Sequence, residues 1–166
     1  MKIDKLFKGL AQIANGDYVL EVDLICEDNL EVELDDRLVV KGRIEVEKNI
    51  IVSCGIKAGW GIEAGEGIEA GWGIEAGDGI KAGWGIKAGE GIEAKTFIHT
   101  EKRIFAGVSV YHTSENCKKT IKCAELRKGE VAFGDLIIKE QPVYMTIAEI
   151  EKALGIKNLK IKDDAE

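Results

Sequence analysis

Large aliphatic residues recur at every sixth position through the middle of the chain. Each is followed by a charged residue and an alanine, and in all but the last unit then by a glycine, one variable residue and a second glycine; the aliphatic residue is isoleucine at Ile56, Ile62, Ile68, Ile74, Ile80, Ile86 and Ile92. Alternation of apolar, polar and small residues predicts short strands with one face inward. Because one short strand buries little surface alone, the fixed period predicts stacked coils, which is an all-β, single-chain β-solenoid.

The same register extends beyond the regular units in both directions. Leu38-Val39-Val40 and Ile50-Ile51-Val52 precede them, and Ile98-His99-Thr100 and Ile104-Phe105-Ala106 follow them. Period-two alternation begins at Tyr18, which predicts less regular coils over residues 20–37. We therefore assign the solenoid to residues 17–112.

Two coil geometries are compatible with this register. Three units per turn make a three-sided prism, and two units per turn make a flat, two-sided coil. The flat coil would align Trp60, Trp72 and Trp84 along one edge and would alternate Glu and Lys along one face, but it would also stack three acidic residues at an edge. The prism is the commoner form and is favoured on that ground, while both alternatives stay open.

The segment 1–16 predicts an N-terminal capping helix. Apolar residues fall at helical spacing, and Asn15-Gly16 is typical of a helix C-terminus; the apolar residues are Ile3, Leu6, Phe7, Leu10 and Ile13. Such a helix would cover the open end of a solenoid. A helix lying on a membrane surface is the alternative.

Residues 113–166 predict a second cap, made of a hairpin and a helix. The segments 118–126 and 130–138 flank Lys128-Gly129 as the strands of a hairpin would. After Pro142, the spacing of Thr146 and Glu149 is that of a capping box, which predicts a helix carrying Ile147, Ile150 and Leu154. We expect this cap to dock on the solenoid or on a neighbouring chain.

Charge bears on the partners of the protein. The formal net charge is −7 without a basic cluster, which disfavours direct binding of nucleic acid. Nine acidic residues and no Lys or Arg lie between Asp17 and Asp36, so the outward faces there are expected to be strongly negative. No apolar run reaches the length of a membrane span and no signal-peptide core is present, which predicts a cytoplasmic protein.

The three tryptophans share one position between two glycines of the unit. Equivalent positions hold glycine, lysine, cysteine and acidic residues, a mixture that predicts solvent exposure. Exposed tryptophans are candidate anchors for another protein, although they could also lie flat over the glycines and shield the corners. The predicted partner-binding residues are Trp60, Trp72, Trp84, Glu31, Glu33, Asp35 and Asp36.

Catalytic and metal chemistry is weakly supported. Cys26, Cys54, Cys117 and Cys123 lack C-x-x-C spacing and are expected to be packing residues. The spacings of His112, Cys117 and Cys123 do not match a structural zinc site. His99 falls at an outward position and is expected to be a surface histidine. We therefore predict no catalytic residue, no metal site and no cofactor.

The run Gly-Ile-Glu-Ala-Gly-Trp-Gly-Ile-Glu-Ala-Gly resembles the repeat region of uncharacterised glycine-rich solenoid proteins of Firmicutes and their prophages. The segment Met145-Thr-Ile-Ala-Glu-Ile-Glu-Lys-Ala-Leu-Gly-Ile-Lys is similar to the tails of small phage-encoded proteins. The solenoid also looks distantly like bactofilins, whose β-helical core polymerises end to end. These resemblances imply a fold and no particular activity.

The acyltransferase hexapeptide pattern is a further comparison. The unit from Ile62 to Gly67 matches its first two positions and fails at the fifth, where a small inward residue belongs. That family also implies a catalytic histidine and usually a projecting loop. Only His99 and His112 are available, and no long insertion is expected within the repeats.

The first functional hypothesis is therefore a non-enzymatic, acidic interaction protein. Dense carboxylates suit a basic groove, and the phage resemblance implies a host nuclease or another DNA- or RNA-binding defence protein as partner, in the host cytoplasm. The alternatives are a self-associating scaffold, which would be a homo-oligomer, and a hexapeptide-repeat acyltransferase.

Overall fold

A computed structural model describes residues 1–109 and 119–139, and short strands joined by tight corners account for nearly all of these residues. No helix occurs among these residues. The strands in chain order are β1 (Lys2–Ile3), β2 (Ala11–Gln12), β3 (Tyr18–Leu20), β4 (Leu24–Cys26), β5 (Leu30–Val32), β6 (Leu38–Val40), β7 (Ile44–Val46), β8 (Ile50–Val52), β9 (Ile56–Ala58), β10 (Ile62–Ala64), β11 (Ile68–Ala70), β12 (Ile74–Ala76), β13 (Ile80–Ala82), β14 (Ile86–Ala88), β15 (Ile92–Ala94), β16 (Phe97–Ala106), β17 (Thr120–Cys123), β18 (Glu125–Phe133) and β19 (Asp135–Ile138).

The strand register fixes the length of the coil at three six-residue units. Ile62 on β10 lies opposite Ile44 on β7 and Ile80 on β13, three units away in each direction, and all three strands are parallel. One turn therefore contains three strands, and the chain forms a three-sided β-solenoid of about six turns. The three-sided geometry is confirmed and the flat alternative is wrong.

The three faces of the prism are columns of stacked strands. The first face contains β4, β7, β10 and β13, the second contains β5, β8, β11 and β14, and the third contains β3, β6, β9, β12 and β15. The long strand β16 turns a corner, pairing with β13 on the first face and with β14 on the second. The prism is oriented with its N-terminal end at the bottom, so each coil lies above the coil that precedes it in the chain.

The core is a stack of layers that each hold large and small side chains. The first residue of each three-residue strand from β4 onward is a buried isoleucine or leucine, and the third is a buried alanine, valine or cysteine, whereas the middle residue points outward. This alternation confirms the predicted register. The only buried polar side chain among the described residues is Thr100, whose hydroxyl group donates a hydrogen bond to the carbonyl oxygen of Trp84.

The first full coil is longer than the regular coils that follow it. Tyr18 lies opposite Leu38, whereas the regular spacing would place it opposite Asp36, because the corner between β5 and β6 extends over residues 33–37. The corresponding corner of the next coil extends only over residues 53–55. Leu34 in the longer corner is buried and fills the additional space inside the prism.

The predicted N-terminal helix is wrong. β1 pairs in parallel with β5, and β2 pairs antiparallel with β3. The amide groups of Glu31 and Glu33 donate to the carbonyl oxygens of Met1 and Ile3, both at 2.9 Å. Residues 1–16 therefore cover part of the solenoid end as strands and turns, because the lowest strands need hydrogen-bond partners that a helix could not supply.

The predicted C-terminal hairpin is also wrong. β18 runs straight through Lys128-Gly129 and pairs in parallel with β16, and β19 pairs in parallel with β17. Gly129 has a positive φ of 120° within β18, so the signal interpreted as a hairpin turn belongs to an irregular corner of one more coil. The stacked coils thus continue beyond residue 112 to Ile138.

A long connection precedes this last coil. Ile121 lies opposite Ile92, much farther along the chain than one regular coil, so residues 107–119 form an insertion relative to the regular spacing. This connection follows the regular repeats, which run from Leu38 to Ala106 without a long insertion, as expected. His112 and Cys117 fall within 110–118, and the predicted helix at 146–154 follows residue 139, so these predictions lie outside the described residues.

Candidate interaction surface

The three tryptophans occupy three different corners of the prism. Trp60 connects the third face to the first, Trp84 connects the first to the second, and Trp72 connects the second to the third. In an 18-residue coil the residue above Trp60 is Asp78, whose amide group donates to the Trp60 carbonyl oxygen at 3.1 Å. Likewise the Trp84 amide donates to the carbonyl oxygen of Glu66 below it at 3.0 Å. The edge row of tryptophans that the flat coil implied does not form.

Exposure separates the tryptophans into two groups. Trp60 and Trp84 expose 69% and 64% of their surface, whereas Trp72 is half-buried and packs against the core. The prediction of exposed corner residues is therefore confirmed for Trp60 and Trp84. A large aromatic side chain so accessible is a typical anchor point in a protein interface.

Trp84 borders a groove of about 850 Å³ at the corner between the first and second faces. Phe105, an outward residue of β16, supplies a second aromatic side chain, since it lies directly above Lys87 on the second face. The Trp84 backbone is fixed from above, because its carbonyl oxygen accepts from Thr100 and from the Lys102 amide, the latter at 2.8 Å. The groove therefore combines an apolar floor with a rigid corner.

Cations outnumber acids around this groove. Lys128 pairs with Glu101, and the hydrogen bond from Lys128 holds the pKa of the Glu101 carboxyl below its usual value. Arg103 lies 3.6 Å from Glu130, while the ammonium group of Lys102 makes no salt bridge with any described acid. The lining thus carries a local positive surplus; its charged residues are Lys87, Lys102, Arg103, Lys128, Glu101 and Glu130.

Trp60 borders a smaller groove of about 230 Å³ on the first face. Its charged residues pair with one another: Arg43 lies 3.3 Å from Glu45, and Lys81 pairs with Glu63. Phe97 closes the upper side. With Asp78 as a third acid, the lining holds three acids against two cations, and the groove offers less space than the one beside Trp84.

The predicted acidic residues are partly neutralised by the N-terminal segment. Lys2 lies 2.6 Å from Glu33, and Lys5 lies 2.7 Å from Asp35, which also accepts a hydrogen bond from the Tyr18 hydroxyl at 2.8 Å. The hydrogen bonds from Lys5 and Tyr18 hold the pKa of Asp35 below its ordinary value. Glu33 and Asp35 are therefore engaged within the molecule.

Other acids of the stretch remain accessible. Asp23 and Asp28 pair with Arg43 and Lys48. The acids of the stretch that make no salt bridge with a described cation are Asp17, Glu21, Glu27, Glu31 and Asp36. Ten acids against three lysines leave residues 1–36 with a formal net charge of −7. Of the four predicted acidic site residues, Glu31 is exposed, whereas Asp36 is half-buried and its carboxylate accepts a hydrogen bond from the Arg37 amide at 2.8 Å.

The structure does not bring the acids and Trp84 into one site. Glu31 and Lys87 share the second face, but Ile51 and Glu69 lie between them in the column. Three strand spacings correspond to roughly 14 Å. The candidate surface is therefore a rod with an acidic lower end and an aromatic, basic groove nearer the other end.

The described cysteines are free and buried, which confirms their packing role for Cys26, Cys54 and Cys123. Cys54 occupies a corner position that was expected to face solvent, and this expectation is wrong because the residue is almost fully buried. Burial raises the pKa of the Cys54 and Cys123 thiols. His99 lies on the surface with its Nε2 atom 3.3 Å from Glu101.

The described residues contain no group of three or more His, Cys, Asp or Glu side chains placed to bind a metal ion. The residues that sequence reasoning missed are Phe105, Lys102 and Arg103 of the Trp84 groove. The sequence contained one indication of this grouping: Lys102 follows Trp84 by 18 residues, or three units. That spacing places the two residues one above the other only when the coil is known to contain three units.

In the described part of the chain, no helical segment has the length and hydrophobicity of a membrane span. No protein-family model, curated protein or solved structure matches this chain.

Proposed function

We propose that this protein is a non-enzymatic binding protein, a rigid prism that presents a corner groove to another protein. The observation that carries this proposal is the 64% exposure of Trp84 beside Phe105 over a groove of about 850 Å³. Exposed tryptophan next to basic side chains is the composition that interface hot spots favour. The hydrogen bonds to the Trp84 carbonyl oxygen hold this corner of the backbone in place before binding, so less conformational entropy is lost when a partner binds.

The acidic lower end supplies the second contact in this proposal. Glu31 and Asp36, which make no salt bridge with described cations, lie within a segment of net charge −7. A protein that binds nucleic acid has a complementary basic surface, and the phage resemblance makes a cytoplasmic host defence protein the class of partner that we favour. The acidic end would steer the encounter and the groove would hold the complex.

Affinity capture with matched variants tests the proposal. Tagged wild-type protein and the Trp84→Ala variant would be incubated with bacterial lysate, and captured proteins would be quantified by mass spectrometry. Leu6→Ala is the control, because Leu6 is 92% exposed but lies far from the groove. We expect a specific partner that Trp84→Ala loses and Leu6→Ala retains. Equal capture by all three proteins would exclude the groove as the binding site.

Charge reversal tests the acidic contact separately. The Glu31→Lys variant should slow association with the purified partner, and the effect should diminish at high salt because exposed charges are screened. Surface plasmon resonance would measure the association rate at two ionic strengths. An unchanged rate would remove the acidic end from the proposal and leave the groove untouched.

Self-association is the second candidate, and the charge distribution favours it. The described residues 95–109 and 119–139 contain eight basic and four acidic side chains, a net charge of +4, against −7 for residues 1–36. Oppositely charged ends suit head-to-tail stacking of parallel coils, which generates a scaffold. Sedimentation velocity over a concentration series should then show larger species at low salt than at high salt. A monomer under all conditions would exclude this candidate.

A further inference from the structure

The upper end of the solenoid leaves core residues uncovered. Leu136 lies opposite Ile121, and Ile138 lies opposite Cys123, so all four occupy inward positions. Ile121 and Cys123 are completely buried, whereas Leu136 and Ile138, one coil higher, are 41% and 48% exposed. These two apolar residues occupy positions that are buried in the coils below. Among the described residues, no side chain covers them from above.

The backbone of this last coil is also open. β18 pairs only with β16, and β19 pairs only with β17, so each has one edge without a strand partner among the described residues. An unpaired parallel edge beside exposed apolar side chains is a site of unwanted association unless something covers it. The open layer, defined here as Leu136, Ile138 and the partly buried Leu126 and Val131, therefore requires an occupant.

We propose that the occupant is the chain's own segment 143–154, bound in cis. Residues 140–166 follow Lys139, the last described residue. Lys139 is held at the top of the third face, because its amide donates to the Cys123 carbonyl oxygen at 2.7 Å and its ammonium group lies 2.5 Å from Glu93. The segment thus starts from a fixed point beside the open layer.

The sequence of this segment complements the layer. Ile147, Ile150 and Leu154 recur at the spacing that places side chains on one face of a helix, so they can meet the apolar layer together. Residues 143–154 carry two acids, Glu149 and Glu151, and one cation, Lys152, a net charge of −1, whereas the upper coils carry the positive surplus described above. Apolar pattern and charge both match.

Tethering favours the chain's own segment over other occupants. The tether from Lys139 to the segment is short. Residues 140–142 together with the first three residues of the segment reach at most about 20 Å when fully extended. A tether of this kind gives an effective concentration on the order of millimolar, far above that of free chains. The bound segment would also block the upper end against head-to-tail stacking, and so it restricts the second candidate function.

A cross-link tests the position of the segment in the full chain. The double substitution Leu136→Cys and Ile150→Cys, made in a Cys117→Ser background, would be oxidised at low protein concentration and analysed by mass spectrometry. Leu6→Cys with Ile150→Cys is the matched control, because Leu6 lies at the opposite end. We expect a bond between residues 136 and 150 within one chain and none in the control. A bond between two chains, or equal bonding in the control, would overturn binding in cis.

Hydrogen exchange gives an independent measure that introduces no cysteine. The Ile147→Glu and Ile150→Glu double variant should lower the protection of the β19 amide groups at least about tenfold, because the opened layer exposes them. Lys152→Gln, which keeps both the apolar face and the acidic residues, should change it little. Unchanged protection in the double variant would overturn the proposal. Neither measurement depends on the Trp84 groove or on any partner protein.

Discussion

The carbonyl oxygen of Glu47 lies so close beneath Gly65 that a Cβ atom at residue 65 would stand less than 3.0 Å from it. The same carbonyl approach occurs at the other glycines that follow strands of the regular coils, such as Gly59 above Lys41. Glycines that precede a strand do not meet the backbone below so closely, and a Cβ at Gly61 would stand 3.3 Å from the Gly79 carbonyl oxygen; Gly79 is tight for another reason, because a Cβ there would stand less than 3.0 Å from the Phe97 ring. The two glycines of each unit are therefore not equivalent.

Gly65→Ala is expected to destabilise the protein by about 1–3 kcal/mol, because the coil below must move to admit a methyl group. Gly61→Ala should cost less, since a small shift of the neighbouring backbone relieves its contact. Urea denaturation of both variants would measure the difference. Similar midpoints for the two would contradict the close approach at Gly65.

Ala70→Leu is expected to cost about 1–3 kcal/mol, because the layer that contains Ala70 has no spare volume. Ala70 is buried and lies in register between Val52 and Ala88. The neighbouring Glu69→Gln removes only an exposed ion pair with Lys87, for which about 0–1 kcal/mol is typical. Denaturation that ranked Glu69→Gln as the more damaging change would refute the inward assignment of Ala70.

Asp35 should make the attachment of residues 1–16 dependent on pH. Lys5 and Tyr18 hold its pKa below the ordinary value of about 4, so its stabilising effect is present above that value and is lost as the pH falls through the lowered pKa. Melting temperatures of the wild type and Asp35→Asn should therefore differ at pH 7 and converge in acid. The control is Glu31→Gln, whose carboxylate makes no salt bridge with described cations. A difference independent of pH would exclude this coupling.

The Cys54 and Cys123 thiols should resist alkylation in the native protein. Both are buried, and burial raises the pKa of each thiol, so little thiolate is available to react. Treatment with iodoacetamide at pH 8, followed by peptide mass spectrometry, should show at least about tenfold slower labelling than in urea. Rapid native labelling of Cys54 would mean that its corner opens to solvent.

The strand register was predictable because it is a local property. The alternation of apolar and polar residues places Ile62 inward whichever strand it pairs with, and Ile62 is buried in the structure. Coil size was not predictable from this pattern, because six-residue units keep their inward residues for either two or three units per turn. Only the pairing of Ile62 with Ile44 and Ile80 decides between them.

The ends of the chain show where tertiary contacts override local spacing. Helical periodicity at the N-terminus groups Ile3 with Leu6, yet Ile3 is buried and Leu6 is the most exposed large apolar residue described. The deciding factor was the need of the amides of Glu31 and Glu33 for acceptors, which residues 1–3 supply. Helix propensity does not report such a distant requirement.

The candidate surface was predictable in part. Variation at the corner positions indicated that Trp60 and Trp84 are exposed, but the groove depends on Phe105 and Lys102 being one coil above. The neutralisation of Asp35 by Lys5 likewise joins residues that are distant in the sequence. Both features follow from the fold and not from adjacent residues.

The 18-residue coil also imposes a phase rule on changes in chain length. Adding three units inserts one complete layer, lengthens the prism by about 4.8 Å and leaves every column above it in line. Adding a single unit keeps each isoleucine inward but rotates the upper part by a third of a turn, so that Lys87 would leave the column of Glu69. The hydrophobic core tolerates either change, whereas the surface tolerates only the first.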